Sequence, residues 1–168
     1  MFAGHAALAM VAKGKRPVIS IAVLVPVAFG PDWIKLAGEW LGHTNAALSH
    51  SLVSVGIGAT AAAVIYYAVT RAAVSAGVVW LTYLSHWPAD FVTGLKPTWP
   101  GGPTVGLMLY AHPVADVAVE SVLVVIGWLV YRRSLPEVSR NRMLTYLVPI
   151  GLIGMQVLFG AIESPDVL

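Results

Sequence analysis

The sequence predicts an all-α integral membrane protein with about four spanning helices, a short N-terminal re-entrant or partial helix and an interfacial helix. Composition is the first observation behind this fold class. Hydrophobic residues make up 58% of the 168 residues and charged residues only 11%, whereas an ordinary soluble domain carries about 25% charged residues. The second observation is that the apolar residues form runs approaching or reaching the roughly 20 residues of helix that cross a bilayer core. A chain of this length is expected to form a single transmembrane domain, residues 1–168.

The composition also limits the chemistry and the partners of the protein. The chain has no cysteine, so any metal would be held by histidines and carboxylates rather than by thiolates. Its net charge is only +2, and it has no basic patch interleaved with aromatic residues. Nucleic acid is therefore not an expected partner, and membrane lipids are the expected surroundings.

The first 41 residues contain three apolar segments of different character. Residues 2–12 are apolar except for a histidine and are too short to span, so they predict a partial or re-entrant helix packed against other helices. Residues 18–29 form a second apolar run, which Gly30-Pro31-Asp32 ends. Residues 33–41 alternate apolar with charged side chains and include two tryptophans, a pattern typical of a helix at the membrane interface.

Four longer apolar runs follow and are interpreted as spans: residues 49–70, 72–87, 114–131 and 143–162. Ser49 is expected to cap the first of them. Gly56, Gly58 and the alanines after them are small enough to let helices pack closely. Residues 93–106 are rich in proline and glycine and predict a polar loop without regular structure. A short acidic tail follows the last span.

The basic residues of the loops predict an orientation in the membrane. They occur in three places: Lys13, Lys15 and Arg16; Arg71; and Arg132, Arg133, Arg140 and Arg142. The positive-inside rule assigns these loops to the cytoplasmic side. The opposite ends of the spans then deliver most of the candidate functional side chains to the non-cytoplasmic side: Asp32, His50, His86, Asp90, Asp116 and Glu120. His5 lies eight residues before Lys13, about 12 Å along a helix, and could reach the same site.

His86 and Asp90 form the pair around which the other candidates are arranged. Their spacing of four residues would place an imidazole and a carboxylate on one face of a helix. Ionisable groups this close to hydrocarbon are costly and indicate a functional site, and these two suit Zn²⁺, Mn²⁺ or Fe²⁺. Pro88 lies between them and would kink a continuous helix. The alternative is a helix end with a hydrogen-bonded histidine and a solvated carboxylate.

Three further residues are candidate metal ligands, each with a structural alternative. His50 opens a span and has no capping role to explain it. Asp32 follows Pro31 and could instead cap the interfacial helix. His5 could instead be a hydrogen-bonded core histidine, although a core that faces lipid favours function.

A second set repeats the four-residue spacing at His112, Asp116 and Glu120. Asp116 and Glu120 would share one helix face and are the candidate catalytic residues, as general base or as partners of the metal ligands. The alternative is that Asp116 complements the N-terminus of a helix and that His112 is a loop residue. Glu120 lies well inside an apolar run, which is harder to explain structurally. His43 lies in an interfacial turn and is expected to be solvated.

Several of these motifs resemble a family of small bacterial inner-membrane proteins described as membrane-bound metal-dependent hydrolases, whose best-known member is controlled by the SOS repressor. The resemblance covers roughly residues 4–131 and rests on the order of short motifs between apolar spans. These motifs are His5, Pro31-Asp32, Ser49-His50-Ser51-Leu52, Ser85-His86, Asp90 and Thr93-Gly94. The family's order of ligand types also looks like that of zinc-dependent phospholipase C.

The resemblance implies a multi-pass protein of the bacterial plasma membrane whose site binds a divalent metal, with zinc preferred and manganese as the alternative. The chain also departs from the family. Trp33 and Ile34 stand where a second acidic residue usually follows the Pro-Asp. Residues 44–48 replace a His-Arg-Gly, with Asn45 as a substitute oxygen ligand.

Two functions remain open at this point. The first is a metal-dependent hydrolase at the outer leaflet, with the metal on His5, Asp32, His50, His86 and Asp90 and a lipid-linked or phosphoester substrate. In that case Lys96 and Trp99 would cover the site and meet an anionic head group. The second is a non-enzymatic accessory subunit of a larger membrane complex, in which the polar cluster is structural.

Overall fold

The computed structural model describes residues 2–43 and 46–163, which form an almost entirely helical membrane protein. The helices are α1 (Phe2–Lys15), α2 (Ile21–Ala28), α3 (Gly30–Trp40), α4 (Leu52–Thr70), α5 (Ala73–Leu84), α6 (His86–Thr93), α7 (Pro113–Ser134), α8 (Glu137–Arg140) and α9 (Met143–Glu163). Short 3-10 turns lie at Ala46–His50 and Leu109–Ala111. The predicted fold class is confirmed. Asn45 and most of the acidic tail lie outside the described residues.

Three of the described helices are long and apolar enough to cross a membrane: α4, α7 and the Met143–Gly160 part of α9. Helices α2 and α3 pass the same test together, although they meet at an angle of 61°. That pair is therefore a broken span or a re-entrant loop. The described residues thus contain three or four candidate spans. This number agrees with the sequence, but the fourth candidate is the α2–α3 pair and not residues 72–87.

The predicted single span over residues 72–87 is wrong, because the helix breaks at Ser85. Helix α5 ends at Leu84 and α6 begins at His86. Pro88 gives the physical reason. A proline ring inside a helix clashes with the carbonyl four residues earlier, and that carbonyl belongs to Leu84. Ending one helix there and starting another puts Pro88 in the first turn of α6, where a missing N–H costs nothing.

Helix α1 lies in the middle of the bundle. Its 14 residues give a length of about 21 Å, which is too short for a hydrocarbon core of about 30 Å. It packs against α2, α7 and α9, and it buries Ala3, His5, Ala7, Ala9 and Met10. The partial helix predicted for residues 2–12 is thus present, and it extends to Lys15.

Small residues bring α1 and α7 into close contact. A Cβ on Gly127 would lie 2.6 Å from the carbonyl oxygen of Ala7, and a Cβ on Gly14 would lie 2.6 Å from that of Val130. Backbones can approach this closely only where a glycine faces the neighbouring helix. Gly14 belongs to α1 and Gly127 to α7, so each of the two helices has one glycine against the backbone of the other.

Tyr83 of α5 fills the space between α3 and α4. Its ring lies against Gly30 on one side and Gly58 on the other, where any Cβ would overlap it. The small residues predicted to allow packing therefore do so at Gly58, whereas Gly56 has no neighbour within 4 Å. This contact fixes the beginning of α3, and with it Asp32.

The expectation of a loop without regular structure over residues 93–106 is wrong. Helix α6 continues to Thr93, and two short strands, β1 (Lys96–Pro97) and β2 (Thr104–Val105), pair antiparallel. Proline is compatible with sheet structure when it lies on a short edge strand. The hairpin is attached at both sides, since Val53 N–H donates to Thr98 O at 3.3 Å and Leu107 N–H donates to Phe91 O at 2.8 Å.

The N-cap of α4 is Ser51 rather than the predicted Ser49. The Ser51 hydroxyl accepts a hydrogen bond from Ser54 N–H at 3.1 Å. The chain before it forms a 3-10 turn that ends at His50, so Ser49 lies too early to cap the helix.

The basic loops lie at one end of the bundle. Arg16 Nε donates a hydrogen bond to Ser75 Oγ at 3.2 Å, which joins the end of α1 to the beginning of α5 beside Arg71. The histidines and carboxylates at the opposite ends of these helices therefore share the other end of the bundle. Which compartment each end faces follows only from the charge rule.

Replacing Gly127 by Ala should lower the free energy of unfolding by about 1–3 kcal/mol, the usual cost of forcing an extra carbon into a packed interface. The added Cβ would meet the Ala7 carbonyl, which belongs to a helix backbone and cannot rotate away. Thermal unfolding in detergent would measure the change. Gly151→Ala on α9 is the matched control, because nothing lies within 4 Å of its Cβ position, and an equal loss in both variants would contradict the proposed contact.

Candidate metal centre

The structure brings together all five residues that the sequence indicated as metal ligands. They come from four separate parts of the chain: His5 of α1, Asp32 of α3, His50 of the 3-10 turn, and His86 and Asp90 of α6. His5, His50, His86 and Asp90 are buried, while the Asp32 side chain is 42% exposed. Four side chains of the cluster are therefore shielded from solvent, and only Asp32 is accessible from outside.

His86 has the most restricted geometry of the group. Its Nδ1 lies 2.9 Å from the carbonyl oxygen of Ala28, and a carbonyl can only accept, so Nδ1 carries the proton. In the neutral ring Nε2 is then a lone pair. This atom is buried without a hydrogen-bond partner among the described residues, and it faces Asp90 Oδ2 at 3.4 Å and Asp32 Oδ1 at 3.9 Å. A lone pair facing two carboxylates needs a proton or a cation between them.

Asp90 receives most of the positive and polar contacts of the site. Its Oδ1 lies 3.2 Å from His5 Nε2, and its Oδ2 lies 2.8 Å from Lys96 Nζ and 3.7 Å from His50 Nε2. Burial by itself would raise the pKa of this carboxyl, but the hydrogen bond from His5 and the adjacent imidazole of His86 hold that pKa well below its usual range. Asp90, on a helix that is not a candidate span, is therefore a carboxylate at neutral pH.

The remaining two histidines extend the network on either side of His86. His5 stacks on His86 with ring centroids 3.8 Å apart. Burial lowers the pKa of His5 to about 4, against the opposing hydrogen bond to Asp90, so this ring is neutral at physiological pH. His50 Nε2 lies 3.0 Å from Asp32 Oδ1, and its Nδ1 lies 2.9 Å from Ser49 Oγ.

These side chains form two overlapping groups that could hold a metal ion. His5, Asp32 and His86 make one group, and His50, His86 and Asp90 make the other. Within each group the ligand atoms lie within 4.8 Å of one another. Neutral imidazoles and carboxylates are the ligands of zinc and of similar divalent metals, and the partnerless Nε2 of His86 supplies the lone pair that such an ion would take.

Local helix geometry explains why these residues meet. In α6 the four-residue spacing stacks His86 and Asp90 on one face, and this face contacts His5 of α1 and the Ala28 carbonyl of α2. Asp32 lies in the first turn of α3, where a carboxylate complements the helix N-terminus. His50 ends a 3-10 turn immediately before α4.

The two predicted catalytic residues do not join this cluster. Glu120 Oε2 accepts a hydrogen bond from Gly4 N–H at 2.9 Å, so it complements the N-terminus of α1. Asp116 Oδ2 accepts a hydrogen bond from Gln156 Nε2 at 2.7 Å, which links α7 to α9. His112 is the exposed N-cap residue of α7, and His43 is exposed as expected. The catalytic roles of Asp116 and Glu120 stay predictions.

A cavity of about 410 Å³ opens beside the cluster. Four residues of the cluster line it together with Lys96: His5, Asp32, His50 and Asp90. Its remaining walls are mainly apolar and include Phe2, Phe29, Trp33, Leu36 and Tyr110. The site is thus accessible from the side of α3, the helix predicted to lie at the membrane interface.

Sequence reasoning missed two partners of this site. The Ala28 carbonyl, which fixes the proton on His86, carries no signal because every residue has a carbonyl. The sequence predicts that Lys96 covers the site, but it does not predict the pairing of Lys96 with Asp90. The β1–β2 hairpin, where the sequence predicts an irregular loop, places Lys96 Nζ 2.8 Å from Asp90 Oδ2.

Comparison with protein-family models, with curated proteins and with solved structures finds no match to this chain.

Replacing Glu120 by Gln should lower the free energy of unfolding by about 1–2 kcal/mol, because Glu120 is buried and accepts the hydrogen bond from Gly4 N–H, and a carboxylate at a helix N-terminus contributes up to about 2 kcal/mol. Glutamine keeps the shape and an acceptor oxygen, so the change isolates the charge. Thermal unfolding in detergent is the measurement, with Glu137→Gln on exposed α8 as the control. Unchanged stability with lost activity would instead favour a catalytic role for Glu120.

Proposed function

We propose that the protein is a membrane-embedded, metal-dependent hydrolase that acts on a lipid or another phosphoester substrate. The observation that carries the proposal is the buried Nε2 lone pair of His86, which faces Asp90 and Asp32 without a proton donor of its own. A divalent cation in either ligand group would take this lone pair together with one of the two carboxylates. Zinc suits the mixture of imidazole and carboxylate ligands, with manganese as the alternative.

A divalent cation bound here would supply Lewis acidity, which polarises an ester bond and lowers the pKa of a water molecule. The surrounding residues would hold the cation and transfer a proton. His5, His50, His86 and Asp90 hold the centre in a buried wall, and Asp32 faces the cavity. In the hydrolysis the water oxygen bonds to the acyl or phosphoryl centre, the ester bond breaks, and one water proton leaves with the ester oxygen. Where His50, His86 and Asp90 hold the ion, Asp32 stays outside the ligand set, faces the cavity and would pass that proton.

The location of the site supports a substrate that arrives from the membrane. The cluster lies at the end of the bundle opposite the basic loops, which the positive-inside rule assigns to the cytoplasm. We infer that the site faces the non-cytoplasmic leaflet of a bacterial plasma membrane, as the resemblance of the motifs also implies. The apolar walls of the cavity provide a surface for the hydrophobic part of a lipid.

A second candidate function is a non-enzymatic accessory subunit in which the cluster is structural. The ion pair between Lys96 and Asp90 favours it, because this pair already compensates one of the two carboxylates without any metal. A protein of this kind would be isolated with a larger membrane complex.

Metal analysis of the protein purified in detergent should find one or more equivalents of zinc or manganese, and His86→Ala should lose it, because both ligand groups share this side chain. His43→Ala is the matched control, since His43 is exposed and lies outside both groups. Phosphoester hydrolysis is then measured on the same preparations.

Absence of metal from the wild type, after reconstitution with excess zinc, would count against the hydrolase and for the accessory subunit. An equal metal content in the wild type and in His86→Ala would show that the metal binds outside both ligand groups. Metal without hydrolysis of any phosphoester tested, together with a stably bound partner, would support a structural metal site.

A further inference from the structure

We propose that Lys96 is the anion-recognition residue of this site and that its ligand is the phosphate group of a membrane lipid. The inference rests on the proposed function and adds the substrate class to it. Lys96 begins strand β1, and its ammonium lies 2.8 Å from Asp90 Oδ2 with the side chain 23% exposed. The side chain therefore reaches the cluster from the cavity and remains accessible from it.

Lys96, His50 and His86 face the same oxygen atom of Asp90, whereas His5 faces the other. Oδ2 is 2.8 Å from Lys96 Nζ, 3.4 Å from His86 Nε2 and 3.7 Å from His50 Nε2. His50, His86 and Asp90 are one of the two groups that could hold a metal. When Asp90 serves as a metal ligand, its charge is shared with the metal, and Lys96 loses most of its counter-charge while it remains beside the centre.

A partly buried ammonium without a counter-charge is a binding site for an anion. Among the described residues, the charged side chains around the cavity are Lys35, Lys96, Asp32, Glu39 and Asp90. Lys35 is already paired with Glu39 at 3.6 Å. Lys96 is thus the cation that a ligand anion would meet next to the metal ligands. A phosphate offers several oxygens and can contact Lys96 and the metal centre together, which a neutral ester cannot do.

The attachment of the hairpin keeps Lys96 in this position. Thr98 O accepts from Val53 N–H of α4, and Pro97 O accepts from Trp87 Nε1 of α6 at 3.4 Å. The backbone at residue 96 is therefore tied to the helix that carries His86 and Asp90. Only the flexible side chain of Lys96 has to move when Asp90 changes partner.

The other walls of the cavity indicate that the anion belongs to an amphiphile. Phe2, Phe29, Trp33 and Leu36 line it, and on α3 the side chains of Trp33 and Leu36 are both more than half exposed. These two residues continue the apolar wall from the cavity to the outer surface of the helix. A lipid could lie with its phosphate at Lys96 and its hydrocarbon along α3.

The test compares the wild type, Lys96→Met and the charge-conserving Lys96→Arg, with Lys15→Met at the opposite end of α1 as the control for loss of a positive charge. Three quantities are measured on detergent-purified protein: the zinc dissociation constant, the affinity of the zinc-loaded protein for inorganic phosphate, and binding to vesicles of neutral lipid with or without phosphatidic acid. The first needs no activity, and the last two report the anion directly.

Lys96→Met should bind zinc up to about fivefold more tightly, because a competing cation is removed. It should bind inorganic phosphate about ten- to a hundredfold more weakly, the usual range for loss of a charged hydrogen bond, and should lose its preference for phosphatidic acid. Lys96→Arg should restore phosphate binding, and Lys15→Met should match the wild type.

The outcomes separate this inference from the proposed function. A wild type that binds no zinc overturns both. Zinc binding with the same phosphate affinity in the wild type and Lys96→Met overturns the role of Lys96 alone. Weaker zinc binding in Lys96→Met would show that Lys96 only supports the structure of the site. Phosphate binding without any preference for phosphatidic acid would overturn the lipid as the source of the anion.

Discussion

The buried carboxylate of Asp90 is the group on which the rest of the site depends. A carboxylate taken out of water costs on the order of several kcal/mol unless charges and hydrogen bonds compensate it. Asp90 is 3% exposed, and its compensation comes from His5, His50, His86 and Lys96. These partners belong to different parts of the chain, so the cost of burying one charge is met only when those parts come together.

The position of helix α1 in the bundle also determines where one ligand of the cluster lies. The helix is too short to span and has to be held inside by other elements. Glycines at Gly14 and Gly127 allow it to lie close to α7, and Glu120 meets the amide of Gly4 at its N-terminus. The residue after Gly4 is His5, so the contact that fixes the start of the helix also places one imidazole of the cluster. A carboxylate outside the cluster can therefore influence it through position alone.

The breaks in regular structure matter as much as the helices. Pro88 ends α5 early and lies in the first turn of α6, so His86 and Asp90 belong to a short separate helix and not to a continuous span. The bend between α2 and α3 exposes the Ala28 carbonyl to His86 and brings Asp32 to the cluster. Each break frees backbone groups that a straight membrane helix would have used internally, and here the functional side chains lie at those points.

The sequence by itself determined the membrane class, the partial first helix, the common end of the candidate ligands and the five residues that now lie in one cluster. These follow from hydrophobic run lengths, from the charge asymmetry of the loops and from the four-residue spacing of His86 and Asp90, all of which are local properties. The tertiary structure decided which distant residues contact one another, and local sequence patterns carry no information about such contacts. The contact of Glu120 with Gly4 joins residues that are distant in sequence. The helix break at Ser85 and the hairpin that carries Lys96 to Asp90 depend on which backbone groups form hydrogen bonds with one another. Such pairings are fixed by the packing of the bundle, because only packing sets which buried charges and amides face one another.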